Sequence, residues 1–152
     1  MSLFDAIDTA ASGLSAERMR MDVTAENLAN AQTTRGADGQ PYRRKVVVLA
    51  QAGGGFGASL NGALHGGSGS RAGRGVNAGV RVAGIAQDTT PNRLVYDPGH
   101  PDADARGYVS MPNVQPVAEM VDLITASRNY EANVTVMQTA KTMFTKTLEI
   151  LR

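Results

Sequence analysis

The stretch PVAEMVDLITASRNYEANVTVMQTAKTMFTKTLEILR, residues 116–152, decides the fold. Steps of alternately three and four residues from Met120 visit Leu123, Ser127, Tyr130, Val134, Met137, Lys141, Phe144, Leu148 and Leu151, and eight of these ten positions are apolar. A repeat averaging 3.5 residues keeps one stripe turned toward a partner helix over many turns. No Gly and no further Pro follows Pro116, so the spacing predicts one helix of about 35 residues, about 50 Å long at 1.5 Å per residue. Pro116 suits a first turn, Glu119 and Asp122 favour the positive end of the helix, and Lys141, Lys146 and Arg152 favour the negative end. Ordinary globular helices average about 11 or 12 residues, so a stripe sustained for about five heptads points to a coiled coil or a long assembly rather than a common bundle.

The other end of the chain answers this helix. Ile7, Leu14, Met21 and Leu28 recur at strict sevens, with Leu3, Ala11 and Ala25 at companion positions. Ser2 followed by Asp5 reads as a capping box. Arg18 interrupts the set, and Gly13 weakens a helix by about 1 kcal/mol relative to Ala. The helix is expected to stop within Asn27-Leu28-Ala29-Asn30 or shortly after, before the turn-forming Thr33-Thr34-Arg35-Gly36. The fold class that follows is mainly α with a small β insertion. Residues 1–35 and 116–152 form long terminal helices pairing as a coiled coil, and 36–115 form an irregular and β middle region.

Gly and Pro support this division, because 16 of the 17 Gly and all six Pro fall between Gly36 and Pro116. Tyr42–Ala50 and Gly79–Gln87 have the β-branched content of strands, and Arg93–Tyr96 and Gly107–Met111 are shorter candidates. From Gly53 to Gly79, eleven of 27 residues are Gly, a composition that buries too little surface to order itself and reads as a flexible loop. One seam of apolar side chains offsets only part of the backbone entropy lost in ordering two long helices. We infer that the helices are stable mainly in an assembly of many copies.

The remaining chemistry is sparse. Fifteen basic and fourteen acidic residues give a net charge of +1, far from the basic balance that phosphate backbones demand, so nucleic acid is not an expected partner. There is no Cys, which excludes disulfides, thiolate metal sites and thiol nucleophiles. No apolar run approaches the ~18 residues of a membrane span, and Met1-Ser2-Leu3-Phe4-Asp5 lacks the basic and apolar regions of a cleaved signal. Neither direct membrane insertion nor signal cleavage is expected. Asp97-Pro98-Gly99-His100-Pro101-Asp102-Ala103-Asp104 gathers three carboxylates and an imidazole that a metal-dependent hydrolase could use, but its Pro and Gly residues mark a turn in which Asp side chains cap nearby amides. His65 has no evident partner, and no Gly-x-Ser-x-Gly elbow or phosphate-cradling Gly-x-x-x-x-Gly-Lys motif is present. No enzyme, cofactor or metal is expected. Thr135, Thr139, Thr142, Thr145 and Thr147 could bond across subunits or stand merely exposed.

Ser12-Gly13-Leu14, Arg18-Met19 and Glu26-Asn27-Leu28-Ala29-Asn30 resemble the N-terminal motif shared by the axial proteins of the flagellar rod and hook. Asn113-Val114-Gln115-Pro116-Val117-Ala118-Glu119-Met120-Val121-Asp122, followed by Arg128-Asn129-Tyr130-Glu131-Ala132-Asn133-Val134, is similar to the C-terminal motif of the family's proximal-rod branch. Arg93–Asp104, Gly107-Tyr108-Val109 and Met111-Pro112-Asn113 resemble that branch's middle segment.

The resemblance implies a structural subunit of the basal-body rod in the periplasm, polymerising through its terminal helices, surrounding the export channel and transmitting torque. Its implied partners are other copies of itself, other flagellar rod proteins, MS-ring/rod junction proteins and the flagellar type III export apparatus, through which it would pass unfolded. The expected assembly seam is Ile7, Leu14, Met21, Leu28, Met120, Leu123, Tyr130, Val134, Met137, Phe144, Leu148 and Leu151. The alternative is a helical adaptor or secretion-linked binding protein using the same seam. Since the Gly-rich stretch supplies no packed core, a chain shortened between Gly53 and Gly75 is expected to support motility as the full chain does. A non-motile strain that exports the shortened protein normally would contradict this.

Overall fold

The computed structural model describes residues 3–36, 38–52 and 79–150. The Ser2 cap, the seam residue Leu151, His65 and nearly all of the Gly-rich stretch lie outside the described residues. In chain order the elements are α1 (Leu3–Ala29), β1 (Lys45–Gln51), β2 (Val80–Gln87), β3 (Arg93–Tyr96), β4 (Tyr108–Met111) and α2 (Pro116–Ile150). Two long terminal helices are therefore packed together, with two small two-stranded sheets between them in sequence. Helix α1 ends inside the expected window, and α2 begins at Pro116, whose missing N–H is not needed in a first turn.

The described residues form two compact units, one of residues 3–18, 49–52, 79–83 and 128–150, the other of residues 19–36, 38–48 and 84–127. In the first, α1 and α2 approach closely at Gly13, where a Cβ would stand 3.0 Å from the Asn133 side-chain amide. The Asn129 amide donates to Glu17 at 3.3 Å. The Ser12 hydroxyl donates to the Thr9 carbonyl (2.7 Å) and accepts from the Val80 amide (3.0 Å), tying the start of β2 to α1. Gly79 is required there, because a Cβ on it would overlap the Ser12 hydroxyl.

In the second unit, β3 and β4 form an antiparallel hairpin with Leu94 opposite Ser110, Val95 opposite Val109 and Tyr96 opposite Tyr108. Alternation buries Val109 and leaves Leu94, Tyr96 and Tyr108 exposed, with the two tyrosine rings edge to face at 5.3 Å. Strand β1 pairs with β2, and bonds from the Asp88 amide to the Arg44 carbonyl and from the Ala52 amide to the Gly79 carbonyl bracket the pair in an antiparallel sense.

Among the described residues the buried apolar set is Ala10, Ala16, Val23, Ala31, Val109, Val114, Ala126 and Ala140. Five of these eight are Ala, so the apolar area withdrawn from water is small for a chain of this length. Among the described residues two Gly take positive φ, Gly39 at 70° and Gly107 at 78°. A Cβ at Gly39 would meet nothing, whereas at Gly107 it would stand 2.9 Å from the Tyr96 ring. Gly39→Ala is therefore expected to cost about 1 to 2 kcal/mol from backbone strain alone, and Gly107→Ala more, through the same strain plus displacement of Tyr96. Urea midpoints of the two full-length variants check the order.

Candidate assembly surface and polar node

The line along which the helices meet is made of small and polar residues. Glu119, Ala126 and Ala140 are buried on α2, and the half-buried Asn133 faces Gly13; these four positions recur at sevens. On α1 the buried counterparts include Ala10, Thr24 and Asn27. Asn27 meets Glu119; ten residues back on α1 and ten onward on α2, Glu17 meets Asn129; four more on each bring Gly13 to Asn133. Each unit thus keeps the antiparallel pair in the same register.

The expected seam residues flank this line. Met120, Ser127, Val134 and Lys141 each stand one residue after Glu119, Ala126, Asn133 and Ala140. Leu123, Tyr130, Val134 and Met137 are half-buried, and Met120, Phe144 and Leu148 are exposed, Phe144 at 42% and Leu148 at 51%. On α1, Ile7, Leu14, Met21 and Leu28 are all half-buried and stand one residue after Ala6, Gly13, Arg20 and Asn27. Sequence reasoning did not place Val117, Val121, Ile124, Val136, Met143 and Ile150 in the seam, and the structure leaves all six exposed. Every residue from Lys141 to Ile150 is exposed, Ile150 at 85%. The hydroxyls of Thr135, Thr139, Thr142, Thr145 and Thr147 each donate to a carbonyl three or four residues back in α2, so this row offers a neighbour no spare hydroxyl donor.

A polar node closes the second unit. The Asn27 side chain is 1% exposed and fully engaged: its amide donates to Glu119 (3.0 Å) and to the Lys45 carbonyl (2.8 Å), and its oxygen accepts from the Tyr42 hydroxyl (2.8 Å) and the Lys45 amide (2.9 Å). Glu119, also 1% exposed, accepts at its other oxygen from the Arg44 guanidinium, which further reaches Asp122 at 3.3 Å and Asp88 at 3.9 Å. The Arg44 amide donates to Asn113 at 2.8 Å. Lys45 pairs with Glu26 and lies 5.7 Å from the Tyr42 ring centroid.

The hydrogen bond it donates to Glu119 holds the Arg44 guanidinium above its ordinary pKa. Hydrogen bonds from Thr90, with Arg44 adding a smaller attraction, hold Asp88 below the usual carboxylate range. Burial, with Glu26 and Glu119 adding repulsion of the phenolate, pushes Tyr42 up to about 12. Sequence reasoning read Glu119 as a complement to the helix dipole and Asn27 as part of a stop, and placed both within family motifs without pairing them. The available signal was a carboxylate beside Met120, one residue out of phase with a long apolar stripe.

The acidic turn between β3 and β4 is self-contained. Asp97 accepts from the Gly99 amide (3.1 Å), the His100 ring accepts from the Asp102 amide (3.1 Å), and Asp104 accepts from the Ala105 amide (2.6 Å). Asp102 anchors the turn to the chain beyond α1 through Thr34 (2.8 Å) and Arg35 (3.5 Å). Among the described residues no three or more His, Asp or Glu side chains are placed to hold a metal, and no helix is long and apolar enough to cross a membrane.

Two family comparisons define the class of protein that carries these paired terminal helices. Residues 7–37 match "Flagella basal body rod protein", and residues 105–150 match "Flagellar basal body rod FlgEFG protein C-terminal". The chain is 49% identical to the flagellar basal-body rod protein FlgC of Bacillus subtilis, with 99% of each chain covered. It is 44% identical to that of Borreliella burgdorferi, covering 100% of this chain and 99% of the relative. It is 45% identical to that of Escherichia coli O157:H7, covering 99% and 98%. The chain belongs to the FlgC family of flagellar basal-body rod proteins, and its role is that of a structural subunit rather than an enzyme.

The Tyr42 phenol fixes a pH response. Its folded-state pKa of about 12 lies above the ordinary 10.0, so the unfolded chain releases this proton first as pH rises. Its contribution is complete below pH 10 and is lost between 10 and about 12. Tyr42→Phe is expected to flatten that part of the stability profile, read from thermal midpoints of parent and variant across the alkaline range.

Proposed function

We propose that this subunit polymerises into the periplasmic proximal rod through its terminal helices, and that the apolar residues flanking the intrachain line are the contact surface between copies. The observation that carries this reading is the placement of the large apolar side chains. Among the described residues the line where the helices meet is built from Ala, Gly, Asn and Glu, while Met120 and Leu148 stay exposed, at 45% and 51%. Such a surface loses free energy by association, at roughly 25 cal/mol for each Å² of apolar area withdrawn from water. Half-buried Ile7, Leu14, Met21, Leu28, Leu123, Tyr130, Val134 and Met137 extend the same seam.

The helices would line the wall around the export channel and carry torque, with residues 36–115 outside them. Neighbours would be other copies of this chain, other rod proteins and the proteins that join the rod to the MS ring. An Ala-rich interior with few large buried side chains is also readily unfolded, which suits passage through the flagellar type III apparatus.

Phe144→Asp puts charge on this surface and is expected to abolish rod assembly and motility. Met137→Glu, at a half-buried position, should lower the melting temperature as well. Cells that swim normally with Phe144→Asp would show that this side chain is not on the seam.

A further inference from the structure

The helix pair carries a puzzle in its own composition. The innermost α2 positions repeat at sevens, Glu119, Ala126, Asn133 and Ala140, with the half-buried Leu123, Tyr130 and Met137 recurring at the same interval beside them. Opposite them α1 offers residues such as Ala10, Gly13 and Thr24. Small residues fit against small residues almost equally well one heptad along, so this packing distinguishes registers poorly. The buried pair of Asn27 and Glu119 does distinguish them. Sliding α2 by one heptad would set Ala126 against Asn27, leaving a buried amide without its carboxylate and carrying Glu119 away from Arg44. An unpaired buried polar group or charge costs far more than a mismatched Ala contact.

The same carboxylate also depends on the middle region. Glu119 is buried, and among the described residues its one cation is Arg44, whose backbone is held by Asn113 and Asp88 and whose neighbours Tyr42 and Lys45 complete the bonding of Asn27. We propose that Asn27 and Glu119 set the register of the terminal helices, and that Arg44 makes this register available only once the segment leading into β1 has docked. The device coordinates the chain: the faces that α1 and α2 turn outward are fixed by a contact that forms last, after the middle region is in place. It concerns the subunit alone and stands or falls independently of how copies meet in the rod.

The chain has no Cys, so introduced pairs are the only thiols. In the dilute full-length protein, Glu17→Cys with Asn129→Cys reads the observed register, and Glu17→Cys with Val136→Cys reads a slip of one heptad. On the parent background the first pair is expected to close to an intramolecular disulfide and the second to close at least about tenfold less. With Asn27→Leu and Glu119→Leu together, both pairs should close to similar extents. Arg44→Leu alone should reduce closure of the first pair, and adding Glu119→Leu should restore it by removing the uncompensated charge.

A parent chain whose first pair stays open would overturn the proposal, as would a single register surviving in the double Leu variant. Closure of the first pair at the parental rate in Arg44→Leu would show that docking is not required. Failure of Glu119→Leu to rescue Arg44→Leu would show that the arginine supports structure without gating the carboxylate.

Discussion

A carboxylate almost wholly withdrawn from water constrains everything around it. Glu119 is tolerable at 1% exposure only because both its oxygens are bonded, one by the Asn27 amide and one by the Arg44 guanidinium. Asn27 must in turn be placed by Tyr42 and Lys45, and Arg44 by Asn113 and Asp88. Five separated stretches of chain therefore converge on one charge. Alkanes packed in that place would hold the helices together as well or better, but would not say where along their length the helices should meet.

That distinction matters because the rest of the helix pair is permissive. Buried Ala side chains supply little hydrophobic stabilisation, and Gly13, costly to a helix in isolation, is spent on letting Asn133 come close. The large side chains of both helices sit beside this line. A subunit built so is joined to itself by geometry and polar bonding, while much of its hydrophobic surface is held back for something else. Membership of a family of rod subunits supplies the something else: assembly with other rod proteins.

The architecture was largely legible in the sequence because two periodicities and the segregation of Gly and Pro are local properties. Helix α2 begins at Pro116 as its residues require, α1 stops at Ala29 ahead of the Thr33–Gly36 turn, and the strand segments fall where β-branched residues cluster. The inner line of the helix pair was not legible. Counting large apolar residues finds the most hydrophobic stripe, and in a monomeric bundle that stripe would be the interior. Here the innermost positions are one residue earlier, at Glu119, Ala126, Asn133 and Ala140 on α2, and a charged residue among Ala and Asn is not what a hydrophobicity pattern selects. The node was illegible for a second reason, since Asn27, Arg44 and Glu119 meet only in three dimensions. Gly13 shows the same limit: as a composition fact it argues against a helix, and only the approach of Asn133 explains it.

The acidic turn gives the opposite lesson. Asp97, His100, Asp102 and Asp104 are dense enough in sequence to suggest chemistry, yet in space each is turned toward a backbone amide or toward Thr34 and Arg35. Local density of ligating residues is cheap for a Pro- and Gly-rich turn to produce, because capping its own amides demands the same residue types that bind metals. A buried charge surrounded by residues distant in sequence is harder to come by, because every stretch must fold correctly for any of them to be satisfied. In this chain such a cluster lies where the helices meet, at the point on which the presentation of the outward faces depends, and the apparent active site is a brace for a hairpin.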